Sequence, residues 1–599
     1  METIPERYRS NVILYKNLSA LRRRHPSLYA EVESIPISSI TCDRIDIDDS
    51  RKKECLESIL AALAEGMDFL YLAGFGDGSL LAKAAPEIIQ GNRGVLVIEP
   101  LPNKFAAALA IFDFRELLAS RRIFWAVGKN IEEQIDRIWE ETLCYAAAKP
   151  KIVRGDFGES NRDDLVSLIR FIEEEGCRRK KELAQRLKDL PAILKRKRKD
   201  NSPPRVWTYE DLRNKAKYSL IEHVLLRTLL HYLRRLGFKT EYTALKDGEY
   251  YPPYYRILKM AQFEPDLIFL CNEAPAYESA LGEELSRSLP IPKVIWFADD
   301  PIYGEHLLRR HKTSPDETYL IADYEWAAPL IENGADAPRY MPGAATRVRR
   351  GKQRGVRGCE IIFVGQVREQ SAFFRQLSPE WKQYCRQVVE EKLRFPRKKV
   401  REVMAQFPMP GELPSDRLDE FRQKLLWEAN TQFRLRVVRE LMDCDLRIYG
   451  NADWQALLPP DAAQRCYRGV LPFKRLFDAY RNAKITLNIH SLQSYTCMNV
   501  RDFDVPAAGG FLLSDWLPKA DEIYAPGFAD DLPLDENSAQ EVFFYRSLQE
   551  LKHLVEYFLA HEEERRRCIE RARLKVMSRH TYEHRAQWLG ELFYNLIEK

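Results

Sequence analysis

At 599 residues, with a formal net charge of +4, 45% apolar and 11% aromatic residues, the chain is too long for one hydrophobic core and too apolar for a disordered protein. It has no run of about 18 apolar residues, so no membrane-spanning helix is expected. The 11 cysteines form no C-x-x-C pair and no Cys/His cluster at metal spacing, which fits a reducing, cytoplasmic setting without a metal site. The charged opening METIPERYRSNVILYKNLSALRRRHP lacks the apolar block of a secretory signal.

In chain order, Phe69–Ala73 reads as a strand entering the glycine loop Gly74-Phe-Gly76-Asp-Gly78. A helix follows, then the strand Val95–Ile98 ending at Glu99. This βαβ pattern, with Ile123–Val127 as a further strand, predicts an α/β unit over about 1–170. Gly74, Gly76 and Gly78 permit a tight turn and close ligand approach, and Glu99 is placed to hold a ribose. A purely structural Rossmann-like unit fits the same residues. Between Arg178 and Lys199 the chain has 11 Lys and Arg against Glu182 and Asp189, in a helical pattern that closes with Asn-Ser-Pro-Pro204. Residues 171–204 therefore read as a basic helical linker, either a solvated face or a peripheral membrane contact. No aromatics interleave with these charges, so no nucleic-acid partner is expected.

A second series of alternating strands and helices fills 205–345, with strands at Val206–Tyr209, Glu241–Ala244, Asp266–Cys271, Lys293–Phe297 and Tyr319–Ile321. A third fills 346–545, with strands at Cys359–Val364, Leu446–Tyr449, Arg468–Val470, Ile485–Ile489 and Phe511–Leu513, and a helical insertion over about 370–443. Helices close the chain over 546–599 and are expected to brace the two units. Such alternation predicts doubly wound parallel sheets, whose ligands bind outside the carboxyl ends of the strands.

The stretch KITLNIHSLQSYTCMNVRDFDVPAAGGFLLSD carries the strongest site signal. A helix beginning near Asn499 presents its free N–H groups beside Arg501, a site suited to a diphosphate. Asp504, one turn on, is placed for sugar hydroxyls, and the small residues that follow allow close packing. The same residues are compatible with a buried Arg–Asp pair that locks helix to sheet. Asp502 reads as an exposed or helix-N-terminal acid. In WFADDP, Asp299 and Asp300 follow a strand, where a carboxylate is able to take the proton of an acceptor hydroxyl, although one Asp of the pair is suited to capping a helix after Pro301. Glu273 is a rival base. Gly365, Tyr449, Gly450 and Lys474 are candidate donor contacts. His490 lies after a strand at the expected pocket mouth, where a lone histidine is more often structural, and Cys497 reads as packing.

WFADDP, EIIFVG (360–365), LRIYGNADW (446–454), YRNAKITLNIH (480–490), RDFDVPAAGGFLLSD and the closing helices resemble, in order and spacing over nearly 400 residues, the glycosyltransferase family that includes the spore maturation protein CgeB. The resemblance implies a GT-B-type pair of doubly wound Rossmann-like domains preceded by the additional N-terminal α/β domain. It implies a metal-independent, hexosyltransferase-type enzyme of bacterial type that needs no cofactor and takes a nucleotide-sugar donor, with UDP the first choice. The acceptor would be a protein, such as flagellin or another surface protein, or a cell-envelope glycan. Asn499 and Arg501 match the family's Asn-x-Arg, which suggests phosphate contacts. Asp504 stands where the family has the second of two Glu residues, at the ribose, while Thr496 replaces the first. The N-terminal unit is similar to a segment of motility-associated glycosylation factors and to Rossmann-like methyltransferases. Two competing functions follow: an S-adenosylmethionine-dependent methyltransferase in the N-terminal unit, and a non-catalytic nucleotide-sugar-binding scaffold.

Overall fold

The computed structural model describes residues 11–36, 49–64, 68–74, 78–90, 93–147, 150–154, 162–197, 202–211, 220–252, 255–272, 291–301, 316–346 and 358–598. Glu273 and Gly76 lie outside them. The chain forms three parallel sheets flanked by helices. The first contains β1 (Phe69–Ala73), β2 (Gly94–Glu99), β3 (Ile123–Val127) and β4 (Pro150–Arg154) in the order β3-β2-β1-β4. β1 and β2 are buried along their whole length, because helices cover both faces of the sheet.

The second sheet contains β5 (Arg205–Asp211), β6 (Lys239–Leu245), β7 (Leu267–Cys271), β8 (Lys293–Phe297), β9 (Glu317–Ile321) and β10 (Arg339–Tyr340), in the order β10-β9-β8-β7-β5-β6. The third contains β11 (Cys359–Val364), β12 (Leu446–Tyr449), β13 (Ala483–Asn488), β14 (Leu512–Asp515), β15 (Pro526–Gly527) and β16 (Val542–Tyr545), in the order β12-β11-β13-β14-β16-β15. β11 is the hinge of this last sheet: Ile361 stands beside Leu446 of β12 and Ile485 of β13. In both sheets the first strand lies between the second and third, so the chain reverses direction there and leaves a crevice at the carboxyl edge.

The expected strand Arg468–Val470 does not form. Tyr467 makes a single bridge to Ile448, and Gly469 then turns the chain at φ 75°, which leaves Val470 61% exposed. Strands β4, β10, β15 and β16 were not among the expected ones; two of them are only two residues long.

The basic tract belongs to one continuous helix, Arg162–Lys197, so the expected boundary at 170/171 falls inside an element. Its Ile169 and Ile172 join the core of the first sheet and its Leu190 joins that of the second, so the helix is a strut between two cores. Several of its cations are engaged: Arg178 pairs with Glu175 and Glu182, Arg179 with Asp136 at 3.0 Å, and Arg186 with Glu264 at 2.7 Å. Between β11 and β12, helices Pro379–Arg394 and Ser415–Arg439 form an insertion with its own apolar core. At the C-terminus, helix Glu562–Arg579 packs on helix Val500–Ala508 of the third unit. Helix Tyr582–Glu598 then crosses back, placing Tyr582, Leu589 and Phe593 in the core beside Leu229 and Phe269 of the second unit. Among the described residues no helix is long and apolar enough to cross a membrane.

Candidate functional site

Between the second and third sheets, at the carboxyl ends of their strands, lies a cleft of about 720 Å³. Asp299 approaches from the segment after β8, and Gly365, Tyr449, Gly450 and Arg501 from the third unit, so five of the residues singled out in the sequence meet in one cavity. Gly450 is required by closeness, since a Cβ there would stand 2.1 Å from the Gly365 carbonyl oxygen. A narrower extension of about 340 Å³ continues inward past Asn499, Asp504 and Tyr582.

Arg501 is placed by the start of helix Val500–Ala508. Asn499 is the N-cap: its Oδ1 accepts from the Arg501 N–H at 2.8 Å, and its own N–H donates to Asp502 Oδ2 at 2.8 Å. Gly509 ends the helix in the left-handed region at φ 84°. The Arg501 guanidinium donates to the Val364 carbonyl at 2.9 Å and to Asn488 Oδ1 at 2.7 Å. Among the described residues no carboxylate lies within 4.0 Å of it, so its charge is oriented by neutral oxygens.

Asp299 is half-buried, and its carboxylate accepts from Asn272 Nδ2 at 3.2 Å and Gln493 Nε2 at 2.9 Å. Asn272, at φ 54°, also takes the N–H groups of Ala298 and Asp299 on its Oδ1, which fixes the turn after β8. Asp300 faces away from the cleft and is buried beside Tyr495, at 3.4 Å from its hydroxyl, and Lys399. The two acids are thus separated by environment: Asp299 is the one the cleft presents.

Thr496, Asp504 and Lys474, named as donor contacts, have the following surroundings. The Thr496 hydroxyl donates to Asp323 Oδ1 at 2.6 Å, so Thr496 ties the third unit to the second. Asp504 is 3% exposed, and its Oδ1 accepts from both the N–H and the hydroxyl of Thr346, at 2.8 and 2.9 Å. Burial pushes its carboxyl up to about 7, against the lowering by the Thr346 donors and Arg501. Its Oδ1 is therefore engaged by Thr346, where a ribose contact was expected. Lys474 is exposed on the first turn of helix Phe473–Asn482, while Phe473 and Leu476 of that helix line the cleft.

His490 lies beneath the cleft, fully buried, with Nε2 2.7 Å from Asp502 Oδ2 and Nδ1 2.8 Å from Asp515 Oδ1. Burial depresses its pKa, yet the two carboxylates outweigh burial and raise it to about 9, so both ring nitrogens carry protons at neutral pH. Asp502, expected to be exposed or helix-N-terminal, is helix-N-terminal and fully buried, and Asn488 Nδ2 donates to it at 2.7 Å. Arg397 closes the chain on Asp515. A buried polar line thus runs from Arg397 through Asp515, His490, Asp502 and Asn488 to Arg501.

The long insertion helix supplies site residues that the sequence reading missed. Gln423, Trp427, Asn430, Thr431 and Arg434 all line the cleft. Their spacing of four, three, one and three residues is one helical face, a readable signal in a segment otherwise taken as a surface insertion. Arg368 stacks on Trp427 at 3.7 Å, so three arginines, Arg368, Arg434 and Arg501, line the cleft.

In the N-terminal unit, Gly74 and Gly78 adopt φ of 91° and 82°, backbone that favours glycine. Glu99 is buried, and its Oε1 accepts from the Leu101 N–H at 2.9 Å, so the carboxylate placed for a ribose caps its own loop.

Residues 422–590 match the model of the Glycosyl transferase-like family. This stretch contains Arg501 and most of the third sheet, and the C-terminal region thus carries a glycosyl transferase-like domain. No curated protein matches the chain. Among solved structures, the catalytic domain of starch synthase IV from Arabidopsis thaliana bound to ADP and acarbose is 10% identical, with a TM-score of 0.36, over 67% of this chain and 100% of that one. The OtsA apo structure is 10% identical, with a TM-score of 0.19, over 89% of this chain and 99% of that one. At those TM-scores neither likeness carries weight.

Proposed function

We propose that the chain is a glycosyltransferase that moves a sugar from a nucleoside-diphosphate donor, a UDP-sugar first among the candidates, to an acceptor hydroxyl entering the cleft beside Asp299. The observation that carries this reading is the Arg501 guanidinium, held by neutral oxygens at a helix N-terminus in a cleft between two parallel-sheet edges, inside the family match. As the bond between the anomeric carbon and the donor phosphate breaks, negative charge grows on the departing diphosphate. Preoriented cations then lower the barrier, because they need no reorganisation. Arg501 and Arg368 take this role. Asp299 receives the acceptor proton as the new glycosidic oxygen–carbon bond forms, and Asn272 and Gln493 hold its carboxylate in place.

A panel of UDP-, ADP-, GDP- and CDP-sugars, offered with protein and oligosaccharide acceptors and read as release of nucleoside diphosphate, tests the reading. One donor is expected to turn over, and Asp299→Asn is expected to reduce kcat by about 10²–10⁴-fold with little change in donor affinity. An Asp299→Asn enzyme that retains full kcat would show that Asp299 is not the base.

A further inference from the structure

A second groove, of about 700 Å³, opens in the helical insertion on the far side of the wall formed by Arg368 and Thr431. Thr431 Oγ1 accepts from the Arg368 N–H and donates to the Arg368 carbonyl, both at 3.0 Å, so this wall is fixed. The groove runs between helices Pro379–Arg394 and Ser415–Arg439 and is floored by Phe374, Cys385, Val389 and Leu393. Its polar lining is unbalanced, with five Lys and Arg against Glu369, Glu390 and Glu428. Burial pushes the half-buried Glu428 carboxyl up, and Gln432 Nε2 donates to its Oε1 at 2.9 Å. Among the described residues, Arg375, Lys382, Arg386 and Arg436 form no ion pair within 4.0 Å, so their charges are left for a ligand to meet.

Unpaired cations repel one another and gain nothing from an apolar floor. A ligand with an anionic head and a hydrocarbon body satisfies both features at once. Three of these four cations are arginines, whose planar forks match phosphate oxygens. We infer that the groove between the two insertion helices is a second binding site, separate from the Arg501 cleft, for a phosphate monoester carrying an apolar chain. The inference stands on this groove alone and is independent of the glycosyltransferase reading.

The test is calorimetric titration of the full chain with octyl phosphate below its micellar concentration, with inorganic phosphate and octan-1-ol as separate probes. Octyl phosphate is expected to bind one to one, at least roughly tenfold tighter than either fragment probe. The double substitution Arg386→Glu/Arg436→Glu, at two exposed positions, is expected to weaken it by roughly tenfold or more and to leave nucleoside-diphosphate binding unchanged. Arg501→Ala is expected to leave octyl phosphate binding unchanged. Equal affinity for inorganic phosphate or octanol, or no change in the double variant, overturns the site. Loss of octyl phosphate binding in Arg501→Ala overturns it as well, by placing the probe in the cleft.

Discussion

Replacing Asp323 by alanine is expected to destabilise the protein by about 3–5 kcal/mol, with a loss of activity beyond what unfolding explains. Asp323 follows β9 of the second unit and is fully buried. Its Oδ2 accepts from the N–H groups of Tyr495, Thr496 and Cys497 at 2.7, 2.8 and 3.0 Å, and its Oδ1 from the Thr496 hydroxyl. Successive N–H groups make an anion-binding concavity. Alanine would leave that concavity empty, and each unmet buried donor costs about 1–3 kcal/mol, partly recovered by entering water. Asp323→Asn keeps an acceptor but points an amide N–H at donors, so an intermediate loss is expected. The activity effect arises because the same loop carries Ser491 and Gln493 into the cleft, and Gln493 holds Asp299. Urea midpoints for Asp323→Ala, Asp323→Asn and Thr496→Val provide the check, with Thr496→Val costing about 1 kcal/mol. Equal midpoints for Asp323→Ala and wild type would show that the latch contributes nothing.

The second large effect is expected at His490. Substitution by leucine removes the imidazolium and leaves the Asp502 and Asp515 carboxylates facing an apolar group in a fully buried site. Breaking a buried ion network on one side costs about 3–5 kcal/mol, since the remaining charges lose their compensation. The effect has a pH signature. The folded pKa of His490 is raised from the ordinary 6.5 to about 9, so its contribution is complete below about pH 6.5 and is lost as pH rises through 9. Asp515 is held well below the usual carboxylate range, where His490 and Arg397 outweigh burial, so its contribution is present above about pH 4 and fades in stronger acid. The stability difference between wild type and His490→Leu should therefore be flat from about pH 4 to 6.5 and shrink towards pH 9. A difference that stays constant to pH 9.5 would mean that the histidine is not the charged centre of the network.

The elements legible in the sequence are those whose signal is local. Strands such as Cys359–Val364 and Leu446–Tyr449 are buried by covering helices, so they read as apolar runs, and Asn499 begins its helix with a cap three residues before an acid. Gly469 shows the limit of such reading: a single left-handed glycine turned an apparent strand into the rim of the cleft. The partners of the site residues were less legible because they are remote in the chain. Asp323 meets Thr496 across 173 positions, and His490 meets Asp515 across 25. Asp504 was placed for sugar hydroxyls on local pattern, while Thr346, 158 positions away, engages one of its oxygens, and nothing local shows that Thr496 and His490 meet Asp323 and Asp515. The helical stripe Gln423 to Arg434 was legible and overlooked, because a charged helix with a weak apolar face reads as a surface element.

Calorimetric titration of the full chain with UDP, ADP, GDP and CDP decides whether Arg501 marks a nucleoside-diphosphate site. One nucleotide should bind the wild type, and Arg501→Ala should weaken that binding by about 2–3 kcal/mol, or roughly 30- to 160-fold, as expected when one partner of a half-buried charge pair is removed. A wild-type protein that binds none of the four, or an Arg501→Ala protein that binds equally well, would contradict it.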